Sequence, residues 1–419
     1  MLTYNLPSKN EWPSILQRPV MNIAALEATV KPILQEVKQN GDSALKKFTQ
    51  QFDKTSIDNL LVSEEEFATA QATLDASLKA AILSAKVNIE TFHKSQLTAP
   101  QVIETMPGVQ CWRKNVAIEK VGLYIPGGTA PLFSTILMLG VPAKLAGCKE
   151  IILCSPPPHH PAILFTAKAV GITKVFKAGG VQAIGAMAYG TETIPAVSKI
   201  FGPGNQYVTC AKQLVQQDGV AIDMPAGPSE VAVYADDTAN PAFVAADLLS
   251  QAEHGADSQV LLVSCDAGVI KAVEQEIEKQ VAQLPRKDIA LKALENSKLI
   301  LLTNEDEAID LLNEYAAEHL ILSCNNAAAV AEKVTNAGSV FLGHYSPESV
   351  GDYASGTNHT LPTNGYAKAY SGVSIDSFVK KITFQQLSPE GLKNISKTVM
   401  AMASAEGLEA HANAVRIRL

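Results

Sequence analysis

From residue 119 to residue 342, short apolar runs alternate with segments of helical periodicity. The runs typical of strands lie at 119–125, 150–154, 174–177, 199–201, 231–234, 259–264, 299–302, 319–322 and 339–342. The segments typical of helices lie at 132–146, 161–170, 182–189, 205–216, 241–251, 269–282, 306–315 and 327–334. Alternation at this spacing indicates βαβ units, in which helices cover both faces of a parallel sheet. The chain is therefore predicted to be an α/β protein.

The alternation comes in two series, which predicts two Rossmann-like, doubly wound domains. A length of 419 residues fits two or three domains at ~150 residues each. The first ~100 residues look helical, with a capping box at Ser63–Glu66 that opens a long helix towards Lys94. From Ile375 the chain turns helical again. We expect an N-terminal extension (1–20), a first α/β domain (21–120 with 231–374), a second (121–230) and a helical C-terminal domain (375–419).

Composition narrows the class of protein. The chain has 34 Lys and Arg against 42 Asp and Glu, a net charge of −8, and 47% hydrophobic residues. This balance excludes disorder and a polybasic nucleic-acid binder. Charged residues make up only 18%, below the ~25% typical of soluble domains. Some surface is therefore expected to be buried in an oligomer.

Cysteines and apolar segments bear on the compartment. The six cysteines are scattered without a CxxC pair, which is typical of reduced thiols. The N-terminus lacks a secretory pattern. The uncharged segment 121–143 is interrupted by several Gly and Pro, so we interpret it as a strand, a turn and a core helix rather than a membrane span. We expect a cytoplasmic protein without a membrane partner.

Three predicted strands end in glycine-rich turns: Tyr124–Gly128, Lys177–Gly180 and Phe201–Asn205. Glycine lets backbone N–H groups approach a phosphate, and a following helix N-terminus favours an anion. Neither GxGxxG nor GxxxxGK[ST] occurs at these turns. A nucleotide site and a purely geometric need for glycine both remain open.

Histidines with neighbouring polar residues are the candidates for metal binding and acid–base chemistry. Gln251 and His254 are three residues apart, Glu318 precedes His319, and Glu406 precedes His411 by five residues. Asp352 and His359 lie in glycine-containing segments. No HExxH or zinc-finger spacing occurs, and a single histidine is more often structural. The residues by themselves indicate a metal-assisted α/β enzyme and nothing narrower.

Eight stretches resemble the histidinol dehydrogenase family, in family order from about residue 20 to the end. They are VGLYIPGGTAPLFSTILMLGVPAKLAGC, KAGGVQAIGAMAYGTETIPAV, KIFGPGNQYVTCAK, DMPAGPSEVAVYAD, DLLSQAEHGADSQ, YAAEHL, ESVGDYASGTNHTLPT and EGLEAHANAV. The resemblance implies a zinc enzyme that oxidises L-histidinol twice, through L-histidinaldehyde, to L-histidine with two NAD+. One zinc ion per subunit and a homodimer with composite active sites are also implied, because the family's C-terminal segment crosses to the partner subunit.

The resemblance assigns roles residue by residue. Zinc ligands would be Gln251, His254, Asp352 and His411. Glu318 and His319 would be the acid–base pair, with His319 as general base and Glu318 activating water for aldehyde hydration. Substrate contacts would be Ser229, His319, His359 and Glu406 together with the zinc ligands. NAD contacts would be Tyr124, Gln182 and Asn205, one at each glycine-rich turn.

Several alternatives stay open. A cysteine thiohemiacetal, at Cys111, Cys148 or Cys154, is the rival to hydration in the second oxidation. A zinc-dependent hydrolase would use Glu318 and His319 on water and leave the glycine-rich turns structural. A metal-stabilised assembly protein would need no acid–base pair. The enzyme could also act on another amino alcohol.

Overall fold

The computed structural model describes residues 1–19, 23–127 and 130–419. Its strands are β1 (Leu2–Asn5), β2 (Val102–Met106), β3 (Val109–Ala117), β4 (Lys120–Tyr124), β5 (Glu150–Ser155), β6 (Lys174–Lys177), β7 (Lys199–Phe201), β8 (Ala221–Ile222), β9 (Glu230–Ala235), β10 (Gln259–Ser264), β11 (Lys298–Leu301), β12 (His319–Ser323), β13 (Ser339–Leu342) and β14 (Val379–Leu387). Its α-helices are α1 (Trp12–Ile15), α2 (Ile23–Phe48), α3 (Glu64–Thr73), α4 (Ala76–Lys94), α5 (Phe133–Ala146), α6 (Pro161–Ala169), α7 (Gly180–Tyr189), α8 (Gln206–Gln217), α9 (Pro241–Ala252), α10 (Ala267–Val281), α11 (Lys287–Glu295), α12 (Glu305–Tyr315), α13 (Ala327–Ala331), α14 (Glu348–Tyr353), α15 (Pro389–Ala405) and α16 (Glu409–Arg416).

Two parallel sheets form the centre of the fold, which confirms the predicted α/β class. One has six strands in the order β1-β11-β10-β9-β12-β13, and the other has five in the order β6-β5-β4-β7-β8. All the pairings in both are parallel. Strands β9 and β10 are buried at every residue because helices cover both faces, which explains their continuous apolar sequences.

The uncharged segment 121–143 folds as β4, a turn and the start of α5, as predicted. Residues 134–143 of α5 are all buried, so the helix is apolar on every side because it lies inside the protein. Among the described residues, no helix is both long and apolar enough to cross a membrane.

A third, antiparallel sheet was not predicted. It has the order β14-β3-β2, and β14 pairs with β3 from Val379↔Ala117 to Leu387↔Val109. The expectation that the chain is helical from Ile375 onwards is therefore wrong for this strand and holds from α15. The strand forms because its β-branched and aromatic residues find a partner more than 260 positions earlier in the chain.

The long helix predicted from Ser63 is two helices, α3 and α4. The capping box at Ser63 is present, since Glu66 N–H donates to Ser63 Oγ over 3.2 Å. Leu74 is extended, and the Asp75 carboxylate then caps α4 by accepting from Ser77 N–H over 2.8 Å. The second cap breaks the helix because Asp competes with the helical ladder for backbone donors.

Helices α2, α3 and α4 pack against the helices that cover the five-stranded sheet, within the region expected to form the second α/β domain (121–230). Helix α2 packs on α7 and α8, α3 on α6, and α4 on α5. Strand β1 instead joins the six-stranded sheet beside β11. The domain grouping stays a prediction, and this packing associates residues 23–94 with 121–230 rather than with 231–374.

A buried ion pair joins the N-terminal segment to the six-stranded sheet. Arg18 donates from Nε to Glu230 Oε1 over 2.5 Å and from Nη2 to Glu230 Oε2 over 3.0 Å. Its Nη2 also donates to the Tyr315 carbonyl over 2.6 Å. Glu230 is only 2% exposed at the start of β9. Its charge therefore depends on Arg18 for compensation.

Replacing Arg18 by Met should lower the free energy of unfolding by about 3–5 kcal/mol, because it leaves Glu230 buried and unpaired. Urea unfolding followed by circular dichroism measures the change. The matched control is Lys9→Met, which removes an exposed pair with Asp310 at 2.7 Å and should leave the midpoint unchanged. Equal shifts of the urea midpoint in both variants would contradict the role of Arg18 in compensating the buried charge of Glu230.

Candidate active site

Four predicted site residues converge at the amino edge of the six-stranded sheet. His319 is the first residue of β12 and Glu318 precedes it, while Gln251 lies at the end of α9 and Asp352 in α14. All four are buried, with exposed fractions of 9% or less. We call these four residues the buried cluster.

His319 is held by contacts to both ring nitrogens. Nδ1 lies 3.2 Å from the carbonyl oxygen of Glu230 and 3.1 Å from Nε2 of Gln251. Nε2 lies 3.1 Å from Asp352 Oδ1. The Glu318 carboxylate accepts a hydrogen bond of 2.9 Å from the backbone N–H of Glu230, with its Oε2 3.7 Å from His319 Nδ1. The ring is therefore fixed between two carboxylates.

The cluster shifts the pKa values of its members. Burial raises the pKa of Glu318, although His319 and the Glu230 N–H favour its ionised form. Burial by itself would lower the pKa of His319, but the carboxylates of Glu318 and Asp352 outweigh it and raise that pKa. Burial would raise the pKa of Asp352, but the hydrogen bond to His319 and the charges of the neighbouring histidines together lower it. Two carboxylates therefore face one imidazole in the cluster.

Glu348 is a buried residue at this site that sequence reasoning missed. Its side chain is 1% exposed, Ser250 Oγ donates to its Oε1 over 2.6 Å, and its Oε2 has no hydrogen-bond partner. Burial is the main cause that raises its pKa, and the carboxylate of Asp352 also raises it. No spacing in the sequence marks it, because its burial depends on α14 packing against α9.

Three further predicted residues surround the buried cluster. His254 is exposed just beyond α9, which ends at Ala252, and its Nδ1 lies 3.4 Å from Ser229 Oγ. His359 is half-buried, and its Nδ1 lies 2.7 Å from the carbonyl oxygen of Asp352. Its Nε2 lies 3.0 Å from Thr135 Oγ1, at the start of α5. His359 therefore connects Asp352 to the five-stranded sheet's domain.

Glu406 and His411 do not join the cluster within one chain. Both are exposed, and neither side chain forms a hydrogen bond or ion pair with another predicted site residue. Glu406 directly follows α15, and Gly407, with a φ of +74°, separates it from α16, where His411 lies. Their unit is attached to the core through β14.

The predicted zinc ligands offer mixed nitrogen and oxygen donors. Across the described ranges, no three His, Cys, Asp or Glu side chains converge tightly enough to hold a metal ion. Within one chain the predicted set has two such side chains near each other, His254 and Asp352, together with the Gln251 amide. Gln251 Oε1 is buried and has no hydrogen-bond partner. Such an oxygen costs free energy unless a donor or a cation meets it, so these residues fit a metal.

A cavity of about 870 Å³ opens at the carboxyl edge of the five-stranded sheet. It is lined by all three predicted NAD contacts: Tyr124, Gln182 and Asn205. Gln182 is 1% exposed, and its Oε1 is buried without a hydrogen-bond partner among the described residues. Asn205 caps α8 through Oδ1, which accepts from Tyr207 N–H and Val208 N–H. The volume is within the usual range for small-molecule and cofactor sites.

Glycine is needed in the glycine-rich turns for two different reasons. Gly202 has a φ of +128°, and a Cβ there would collide with the carbonyl oxygen of Tyr124, so glycine is needed for packing. Gly180 has a φ of +59°, and its N–H at the start of α7 donates to Tyr124 Oη over 3.0 Å in the cavity wall. Gly128, in the first turn, lies outside the described residues.

Two parallel sheets, with a buried cluster of titratable residues on one and a cavity of cofactor size on the other, are typical of an α/β enzyme. The profile of the histidinol dehydrogenase family matches residues 16–419. The chain therefore belongs to the histidinol dehydrogenase family and is an oxidoreductase of histidine biosynthesis.

Similar proteins cover the whole chain. Histidinol dehydrogenase of Bacteroides thetaiotaomicron is 60% identical over 417 residues, which are 99% of this chain and 97% of the relative. That of Yersinia pestis is 51% identical over 422 residues, covering 100% and 95%. A crystal structure of histidinol dehydrogenase from Elizabethkingia anophelis matches with a TM-score of 0.97 and 55% identity, over 100% of this chain and 98% of that chain.

Proposed function

We propose that the protein oxidises L-histidinol to L-histidine through L-histidinaldehyde, with zinc and two NAD+. The observation that carries the proposal is the Glu318–His319 pair, buried beside the unpartnered oxygen of Gln251. A buried acid–base pair with shifted pKa values is typical of a catalytic site. A cytoplasmic location stays a prediction.

The large cavity is the proposed NAD site. Its Gln182 oxygen is a buried acceptor without a donor, which the carboxamide or a ribose hydroxyl of a dinucleotide would satisfy. The Tyr124 hydroxyl accepts from Gly180 N–H and keeps its own proton to donate. A hydrolase would leave these polar groups without a partner, so the cavity favours the dehydrogenase over the hydrolase.

Gln251, His254 and Asp352 are proposed to hold zinc, with His411 supplied by the partner subunit. When bound, zinc supplies a point of attachment for the imidazole and amine nitrogens of the substrate. The Gln251 amide nitrogen and Asp352 Oδ1 each contact a ring nitrogen of His319, so the proposed metal ligands and the base are held together. Ser229, His359 and Glu406 are proposed to contact the substrate around it.

His319 is proposed to accept the alcohol proton while NAD+ takes the hydride. The Glu230 carbonyl lies against Nδ1 and holds a proton there, and Nε2, which faces Asp352 Oδ1 in this structure, would be free to act as base once Asp352 binds the metal. For the second oxidation a water must add to the aldehyde, and Glu318 accepts the proton of that water. The raised pKa of Glu318 makes it a better base than an exposed carboxylate. The proton that His319 took in the first oxidation passes to the former aldehyde oxygen, which completes the hydrate and frees His319 to remove a hydrate proton as the second hydride leaves to the second NAD+.

The cysteines give little support to a thiohemiacetal. Cys148 and Cys154 are buried, Cys111 is half-buried, and none of the three lines the large cavity. Burial raises the pKa of Cys148 to about 11 and that of Cys154 further. A thiol with a raised pKa holds too little thiolate at neutral pH to attack an aldehyde. Water addition at Glu318 is therefore the proposed route.

A homodimer with composite sites is proposed from the C-terminal unit. Apolar side chains are exposed on it, including Met402 at 61% and Ile417 at 71%, and on the antiparallel sheet, including Val102 at 53%. An exposed apolar surface of this kind marks an association site. A second copy that covers it would also bring Glu406 and His411 to a site that lacks them within one chain.

The test of this function is the number of NADH formed per L-histidinol consumed. We expect two NADH per substrate, loss of the activity on chelation and recovery when zinc is added, because the metal holds the substrate against His319. The protein should stay folded after chelation, as followed by circular dichroism. One NADH with released aldehyde would contradict the hydration step at Glu318. No NADH from folded, zinc-loaded protein would contradict the proposed substrate.

A further inference from the structure

One part of the lining of the large cavity is formed by the end of the N-terminal helical segment. Phe52 and Asp53 end a π-helical segment, Thr49–Asp53, that follows α2, and both line the cavity. The Phe52 ring is 49% exposed and stacks on Phe48 with centroids 5.7 Å apart and an interplanar angle of 4°. An exposed, supported aromatic ring in a cavity is a surface on which a base can stack.

One oxygen of the Asp53 carboxylate lacks a partner. Oδ2 is buried and forms no hydrogen bond with any described residue, and burial raises the pKa of Asp53. The pKa of the Tyr124 hydroxyl is raised mainly by burial and further by the negative charge of Asp53. The two side chains therefore lie near each other in the cavity. A buried carboxylate oxygen without a donor costs free energy that a ligand hydroxyl would recover.

Among its described lining residues, the cavity has no Lys or Arg to bind a phosphate monoester; the basic side chains there are those of His159 and His160. A 2′-phosphate near Asp53 would place two like charges close together without compensation. Sites that accept such a phosphate usually provide an arginine.

The orientation of a dinucleotide follows from the connection to the buried cluster. Ala130 and Pro131 line the cavity and lead into α5, whose Thr135 contacts His359 and thereby Asp352. The reacting ring must lie at that part of the lining. Phe52 and Asp53 line the cavity from a different segment of the chain and are therefore assigned to the adenosine end.

We propose that Asp53 accepts hydrogen bonds from the 2′- and 3′-hydroxyls of the adenosine ribose, with Phe52 against the adenine, and that it selects NAD+ over NADP+. This rests on the proposed function, in which the cavity binds NAD+. In the usual dinucleotide-binding pattern, the acidic residue that binds the ribose follows the glycine fingerprint by ~20 positions. Asp53 lies in a helical segment outside the βαβ units, so that pattern does not predict it.

The test is calorimetric titration of the zinc-loaded protein with NAD+, adenosine-2′-deoxy NAD+ and NADP+, without substrate. Asp53→Asn should weaken NAD+ binding about 10- to 100-fold, because hydrogen bonds to a charged group are lost. Binding of the 2′-deoxy analogue should change much less, and the preference for NAD+ over NADP+ should narrow. The matched control is Asp58→Asn, which removes the same charge from an exposed residue that does not line the cavity.

Three results would overturn the proposal. Unchanged NAD+ binding by Asp53→Asn would show that the carboxylate does not contact the ligand. Equal weakening for NAD+ and the 2′-deoxy analogue would show that Asp53 supports the cavity wall and not the diol. If the wild-type protein bound no NAD+ at all, the nucleotide assignment of the cavity would fail first, and this inference with it. Thermal unfolding of each variant checks that it is folded.

Discussion

Replacing His319 by Asn should lower the turnover of L-histidinol by about 10²- to 10⁴-fold, because the proposed general base is lost for both oxidations. Asn cannot accept a proton at neutral pH. NAD+ affinity should stay within a few-fold, since the large cavity lies on the other sheet. Steady-state NADH formation measures turnover, and calorimetry measures NAD+ binding.

The control for this variant is His344→Asn at the opposite edge of the same sheet. His344 Nδ1 lies 3.1 Å from Ser323 Oγ, at the carboxyl end of β12, whereas His319 is at its amino end. This control should keep nearly full turnover. Retention of more than a tenth of the wild-type turnover by His319→Asn would contradict its role as base.

Glu318→Gln separates the two half-reactions. The amide keeps the shape of the side chain and can still accept from the Glu230 N–H, but it cannot take a proton from water. We expect histidinol oxidation to continue while oxidation of the aldehyde slows, so the ratio of NADH to substrate falls from two towards one. Equal slowing of both steps would show that Glu318 acts only through the position of His319.

Mixed dimers of two inactive variants should recover about a quarter of the wild-type activity. The pair is His319→Asn with His411→Asn, co-expressed in equal amounts. About half of the dimers are then mixed, and each mixed dimer has one of its two sites intact if His411 acts across the interface. Differently tagged chains allow the mixed dimers to be isolated and assayed.

The matched control pairs His319→Asn with Glu318→Gln. These two residues are adjacent in one chain, so a mixed dimer has no intact site and histidine formation should stay low. The prediction depends on the exposure of His411 in the single chain and on the absence of any hydrogen bond or ion pair between its side chain and the buried cluster. Verified mixed dimers without recovered activity would mean that each site is built from one chain.

The α/β elements could be predicted because each one has a local signal. The strands at 174–177 and 259–264 have the predicted bounds, since a short apolar run between turn residues identifies a buried strand. Strand β14 could not be predicted, because its pairing partner lies at 109–117 and its own face is exposed. Pairing between distant segments leaves no periodic signal in either one.

The prediction of the site shows the same difference between local signals and distant contacts. The spacing of Gln251, His319 and Asp352 pointed to no known motif, and only the resemblance to the histidinol dehydrogenase family named them. The structure brings them together at the amino edge of a sheet, where hydrogen bonds of about 3 Å join them. Their roles stay predictions until the variants are assayed.

The sequence by itself determined the α/β class, the order of its strands and helices along the chain, and the family, because local periodicity and long family stretches are properties of consecutive residues. Only the tertiary structure decided that Glu348 is buried behind Gln251 and that Asp53 faces the large cavity. Burial and the loss of hydrogen-bond partners depend on which distant segments cover a side chain, and no local pattern records that.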